Sequence, residues 1–273
     1  MADITLTAAT RSNLLTAQRT DELSARSDRR LATGQRVNKP SDQSITYFLA
    51  KALSDQAGDL LAVKDNIGQS LSLVGGATDD VKYLTQLINQ LKAIATGATD
   101  QSPQTRAQQA AQFDAIRAQL DSLAADSGFG GTNLLGASPD SQSVLFNQGG
   151  SSSLTIAGRA SDSASLGIGT AQGAYNNFAT DADVQSAVFG LDQAFQALRT
   201  TARTLGSNAS TLNTRLDFTE SLANTLQGGA ARLTGADMNE EAANALALNI
   251  SRQLSVTGLN FVNASQQAIQ QLF

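Results

Sequence analysis

Leu49, Leu53, Gln56, Leu60, Val63, Ile67, Ser70, Val74, Ala77, Val81, Leu84, Ile88, Leu91, Ala95 and Ala98 follow one another at alternating intervals of four and three residues, with no change of register. Only Gln56 and Ser70 are polar among the fifteen. A spacing held this long places all of these side chains on one stripe of a helix, the seam of a coiled coil. At ~1.5 Å per residue the run predicts a helix about 75 Å long. Gly75 and Gly76 are its weak point, because a glycine in a helix interior costs roughly 1 kcal/mol against alanine, and a bend or irregular turn is expected there.

Working outward, Ser102-Pro103 reads as an N-cap and a first-turn proline, opening a helix with Phe113, Ile116, Leu120 and Leu123 on one face. Gly128 to Asn133 is turn chemistry, and the chain stays rich in Gly and Ser to about Tyr175. Two short apolar runs, Val144 to Phe146 and Leu154 to Ile156, flank Gln148-Gly149-Gly150-Ser151 and predict one small hairpin. A second seam then runs through Val184, Val188, Leu191, Phe195, Leu198, Ala202, Leu205, Ala209, Leu212, Leu216, Thr219, Ala223 and Leu226. Each terminus carries a weaker amphipathic stretch. The expected fold is mainly α: long antiparallel coiled-coil helices forming a rod, terminal helices paired at one end, and a small β-hairpin within an irregular middle.

Composition narrows the function. The 273 residues contain no Cys and no His, which removes thiol nucleophiles, disulfides, imidazole bases and the usual zinc ligands. Asp79-Asp80 and Glu240-Glu241 are adjacent acidic pairs, too few ligands for a metal and without the defined separation of a glycosidase. Gly149 to Ser153 is glycine-rich, but no lysine opens a helix after it as a phosphate loop requires. No catalytic, cofactor-binding or metal-binding residue is assigned, and no cofactor is expected. The net charge of −5 argues against nucleic acid. No membrane span and no secretory signal peptide is read from the sequence.

With both seams in place, four segments resemble the bacterial flagellins. Arg30-Leu31-Ala32-Thr33-Gly34-Gln35-Arg36-Val37-Asn38-Lys39-Pro40-Ser41-Asp42 is similar to the family's Arg-Leu-Ser-Ser-Gly-Leu-Arg-Ile-Asn-Ser-Ala-Lys-Asp. Asp126 to Leu135 resembles the Thr-Gln-Phe-Asn-Gly-Val-Lys-Leu-Leu turn, and Arg203 to Asp217 resembles the Arg-Ser-Ser-Leu-Gly…Gln-Asn-Arg-Phe-Asp segment. Gly235 to Met238, Asn263 to Gln266 and the final Leu272-Phe273 resemble the family's tail. The order is the family's and the coverage is nearly end to end. Arg29, where the family has Glu, and Gln43-Ser44, in place of small residues, are departures. The middle is too short for large outer domains, so the closest likeness is to the short alphaproteobacterial type.

The resemblance implies a structural subunit that polymerises into the helical flagellar filament for swimming motility, and not an enzyme. A hook-filament junction protein is the alternative, disfavoured by the small middle. It implies type III export, a secreted extracellular location in the flagellum, and self-association, with other flagellin paralogues as further neighbours. An export chaperone and the hook-filament junction and cap proteins are the remaining implied partners, with no nucleic acid and no membrane. Residues 1–44 and 234–273 are expected to form the filament-core domain, the first including a connecting spoke. Residues 45–233 are expected to form the inner rod, with its turn-rich excursion at about 128–180.

The implied polymerisation core is Leu6, Leu14, Leu15, Leu23 and Leu31 at one terminus and Leu246, Ile250, Leu254, Phe261, Ile269, Leu272 and Phe273 at the other. The intrachain coiled coil is assigned to Leu60, Ile67, Val74, Val81, Leu84, Ile88 and Leu91, facing Val188, Leu191, Phe195, Leu198, Leu205, Leu212 and Leu216. Ser151, Ser152, Ser153, Ser161, Ser163 and Ser165 lie on the turn-rich middle and are candidate O-glycan sites by the same resemblance.

Overall fold

A computed structural model describes residues 8–270. In chain order the elements are α1 (Ala8–Thr33), α2 (Ser44–Gly97), α3 (Pro103–Asp126), β1 (Gly128–Phe129), β2 (Thr132–Asn133), β3 (Ser141–Leu145), β4 (Ser153–Ala157), α4 (Ala171–Ala174), a 3-10 turn (Asn176–Phe178), α5 (Asp181–Thr234) and α6 (Met238–Gln270). The chain is mainly α, with two small antiparallel hairpins. Residues 58–223 form one compact unit, and the described residues before and after them form the other. These divisions fall inside α2 and α5, whereas the sequence-based boundaries at 44 and 234 follow helix ends.

In the unit of residues 58–223, α2 and α5 run antiparallel. Lys92 Nζ reaches Asp192 at 2.5 Å and Lys64 Nζ reaches Glu220 at 3.2 Å, so each step back along α2 meets an equal step forward along α5. Every seam position from Val63 to Ala98 is buried, and Leu60 is half-buried at the edge. Ser70, the polar member, donates its hydroxyl to the Asn66 carbonyl within its own helix. Gly75 and Gly76 produce no break, because α2 is continuous from Ser44 to Gly97. Both glycines face outward, and their neighbours Val74 and Ala77 are buried, so tertiary packing outweighs the local propensity cost.

The α5 seam keeps Val184, Leu191, Leu198, Leu205, Leu212 and Thr219 buried, as spaced. Its alternate positions shift by one residue: Ala187, Ala194 and Thr201 are buried, while Val188, Phe195 and Ala202 pack half-buried at its flank, as does Leu216. The half-buried residues at the flank widen the apolar stripe beyond the seam.

The segment between the two long helices is pinned by polar groups. Ser102 caps α3 by accepting from the Thr105 N–H. Arg106 is buried; its guanidinium donates to the carbonyls of Gln101 and Phe178 and pairs with Asp181 at the start of α5. Phe178 meets Phe113 edge-on at 5.4 Å, and Tyr175 meets the same ring at 5.9 Å. The Asn133 amide nitrogen donates to the Ala124 and Ala125 carbonyls at the end of α3, and its oxygen accepts from the N–H groups of Leu135 and Gly136. β3 pairs with β4 with Val144 opposite Leu154, which extends the expected hairpin to Ser141 and Ala157.

Candidate functional site

In the second unit α1 and α6 run antiparallel. Arg30 Nη1 meets Glu241 Oε1 at 2.7 Å, and Arg252 Nε meets Asp21 Oδ1 at 2.7 Å. The seam between them reverses the usual pattern. On α1 its buried residues are Thr20, Ser24 and Ser27, at heptad spacing; on α6 Glu241 is buried and Ala245, Leu248, Ser251 and Ser255 are half-buried. Ser27 Oγ donates to the Glu241 carboxylate at 3.0 Å, and the Thr20 hydroxyl is satisfied within its own helix by the Thr16 carbonyl. Small hydroxyl side chains let the helices approach closely but bury little apolar area.

Leu248, Leu259 and Val262 on α6 are half-buried, but most of the large apolar residues of the two helices lie off this seam. Leu14, Leu15 and Leu23 on α1 and Leu246, Ile250, Leu254, Val256 and Phe261 on α6 are all exposed, with Leu254 at 67% and Phe261 at 76%. Leu31 is half-buried. Leu6, Leu272 and Phe273 lie outside the described residues, and so does the side chain of Ile269. Exposed apolar arrays are uncommon on free-standing proteins.

The loop from α1 to α2 is a clasp that explains the first resemblance motif. Gly34, at φ +67°, ends α1 by donating to the Arg30 carbonyl, a left-handed cap that a side chain would strain. Arg36 and Val37 both donate to the Thr234 carbonyl at the end of α5, and Ala236 donates to Gly34. Val37 is buried beneath. Asp42 closes the loop by accepting from the backbone N–H groups of Asn38 and Lys39, contacts that hold its carboxyl below the usual aspartate range. The clasp thus joins the chain leaving α1 to the chain entering α6, which sets those two helices side by side.

Sequence reasoning missed the polar seam. Thr20, Ser24, Ser27 and Glu241 carry no apolar signal, although the 4-3 spacing of the first three would have revealed it to a search for small residues. At the candidate glycan sites Ser151, Ser153 and Ser165 are exposed and Ser152 is half-buried. Ser161 and Ser163 correct the expectation of an outward segment. Both are buried: Ser161 donates to the Arg159 carbonyl, and Ser163 Oγ is held between Asp121 and Arg117. The intervening chain folds onto α3, which glycine and serine content does not disclose. Among the described residues no cluster of three or more carboxylates could hold a metal ion, and no helix is long and apolar enough to cross a membrane.

These features describe a mainly helical chain with two antiparallel helix pairs. The chain belongs to the bacterial flagellin family: the description "Bacterial flagellin N-terminal helical region" matches residues 4–139, and "Bacterial flagellin C-terminal helical region" matches residues 188–273. Flagellin FljO of Caulobacter vibrioides is 29% identical over 246 residues, covering 89% of this chain and 88% of that one. A flagellin of Brucella melitensis biotype 1 is 24% identical over 280 residues, covering 100% and 99%. Among solved structures, Bacillus cereus flagellin is similar at a TM-score of 0.49 and 16% identity, over 56% of this chain and 88% of that one. The relatives fit the short alphaproteobacterial type. The chain is a structural subunit of the bacterial flagellar filament, assembling with copies of itself, and is not an enzyme.

Proposed function

We propose that the outward apolar faces of α1 and α6 are the surface through which neighbouring subunits hold one another in the filament. The observation that carries this reading is the inversion of the α1–α6 pair, with hydroxyls and a carboxylate inside and Leu14, Leu15, Leu23, Leu246, Ile250, Leu254 and Phe261 outside. Burying a Leu, Ile or Phe side chain contributes about 1.5–3 kcal/mol, so covering these seven would supply on the order of 10 kcal/mol or more per subunit before association costs. Leu6, Leu31, Ile269, Leu272 and Phe273 belong to the same proposal. Residues 1–44 and 234–273 then serve as the filament-core part, and residues 45–233 as the inner domain around it.

The same reading places the subunit outside the cell after type III export. An export chaperone would cover the apolar termini beforehand, junction and cap proteins would meet the filament ends, and flagellin paralogues would share the lattice. Ser151, Ser152, Ser153 and Ser165 are the hydroxyls open to O-glycosylation; a native subunit mass equal to the 28.3 kDa of the polypeptide would rule this out. Deletion of residues 234–273 tests the assembly surface: the truncated chain is expected to stay soluble and form no filament, and filaments from it would refute the assignment.

A further inference from the structure

The first two turns of α2 carry a second apolar feature that the terminal helices do not account for. Ile45, Phe48, Leu49 and Ala52 stand at i, i+3, i+4 and i+7, and the three large ones are 84%, 60% and 50% exposed. At about 100° per residue they lie on the side of the helix away from Ala50 and Ala57, which are its buried positions here. No charged residue occurs from Gln43 to Ala50. Four such anchors form the ridge that a helix presents to a hydrophobic groove. The long seam begins at Leu49, yet Leu49 is exposed and Ala50 is buried in its stead, so the chain does not cover this end of its own repeat.

The same unit contains a groove of matching chemistry. It lies between α1 and α6, measures about 470 Å³, and is lined by Leu23, Ala247 and Leu248 together with the polar Arg26, Ser27, Arg30, Glu241, Asn244 and Ser251. The buried carboxylate beneath it is already engaged by Ser27 and Arg30, leaving apolar surface and the stem of Arg26 to meet an occupant. We propose that the Ile45–Phe48–Leu49 ridge of one subunit seats in the α1–α6 groove of a second copy of this chain. The proposal rests on the reading of α1 and α6 as the assembly surface and specifies one of its contacts.

A second copy is the fitting occupant for two reasons. Family membership establishes that copies of this chain assemble. Ridge and groove are also different patches, so the contact is heterologous: each subunit offers its ridge to the next and its groove to the one before. A contact of that kind makes a ring where its rotation closes and an open helical polymer where it does not, and the second is the form of assembly a flagellin makes.

The test replaces Phe48 with p-benzoylphenylalanine, a photoreactive aromatic, and co-assembles this subunit as a minority with isotopically heavy wild-type subunits. Irradiated filaments are expected to yield light–heavy adducts on residues 23–30 or 241–251, and irradiated monomers none. Adducts confined to one copy, adducts elsewhere on the heavy subunit, or no adduct would each overturn the proposal. Independently of the probe, Ile45→Ala with Phe48→Ala is expected to raise the concentration needed for assembly about tenfold or more while leaving the monomer's melting temperature unchanged. An unchanged assembly threshold would also overturn it. Loss of assembly with Leu254→Asp, together with probe-bearing filaments of the unmutated surface that give no groove adduct, would remove the ridge contact and leave the assembly surface standing.

Discussion

Ser27 of α1 donates its hydroxyl to the carboxylate of Glu241 on α6 at 3.0 Å, and both residues are buried. Because Arg30 meets the same carboxylate at 2.7 Å, Glu241 organises one end of the terminal helix pair. Glu241→Ala leaves a half-buried guanidinium without its carboxylate and the buried Ser27 hydroxyl with only the backbone carbonyl of residue 241, at 3.2 Å. The expected cost is about 2 kcal/mol, read as roughly 30-fold faster amide hydrogen exchange in the first turns of α6. Exchange at the wild-type rate would show that this contact does not hold the helices together.

The α5 seam makes a separate demand. Leu205 is buried in the core of the unit of residues 58–223, so Leu205→Asp places a carboxylate there with no partner. The expected loss is several kcal/mol, seen as a large drop in melting temperature. Ala202→Asp, nearly one turn back along the helix at a half-buried flank, should cost clearly less. Equal losses would contradict the shifted register.

The start of α5 carries a reciprocal cap. Thr180 N–H and hydroxyl both donate to Asp183 Oδ2, and the Asp183 N–H donates back to the Thr180 hydroxyl at 3.3 Å. Thr180→Ala is expected to lower stability by about 1 kcal/mol, measurable by urea denaturation. A change too small to resolve would mean that Arg106 and Asp181 alone fix this helix end.

Asp42 sets a pH dependence on the clasp. Backbone N–H donors from Asn38, and then from Lys39, hold its folded-state carboxyl below the ordinary value of about 3.9. Its ionised form therefore favours the clasp above that value, and the contribution is lost as pH falls through the lower folded-state value. An NMR titration of the Asp42 carboxyl should show a midpoint below about 3.9, accompanied by loosening of the Asn38 and Lys39 amides. A midpoint at or above that value would contradict the cap.

The long helices were legible in the sequence because Val63, Ile67, Val74 and their successors carry their burial in their chemistry. The register of α5 was less so. Between Ala187 and Val188, or Ala194 and Phe195, hydrophobicity favours the larger residue, but the fold buries the smaller and leaves the larger half-exposed. The hairpin was visible from its turn residues. The burial of Ser161 and Ser163 was not, since it depends on Asp121 and Arg117, more than forty residues away in sequence. At the candidate site the apolar residues of α1 and α6 could be named, but not that they face outward. Their direction is set by a seam of Thr20, Ser24, Ser27 and Glu241, residues that ordinarily read as solvent-exposed.

The central claim is that the apolar faces of α1 and α6 are the surface on which subunits pack in the filament. Ile250→Asp with Leu254→Asp places two carboxylates on that face at positions already exposed in the single chain, so monomer folding is undisturbed. The direct measurement is sedimentation of this variant beside wild type under assembly conditions, with monomer melting curves recorded in parallel. An unchanged melting curve and no pelletable filament are expected. Filaments formed by the variant at the wild-type concentration would contradict the claim.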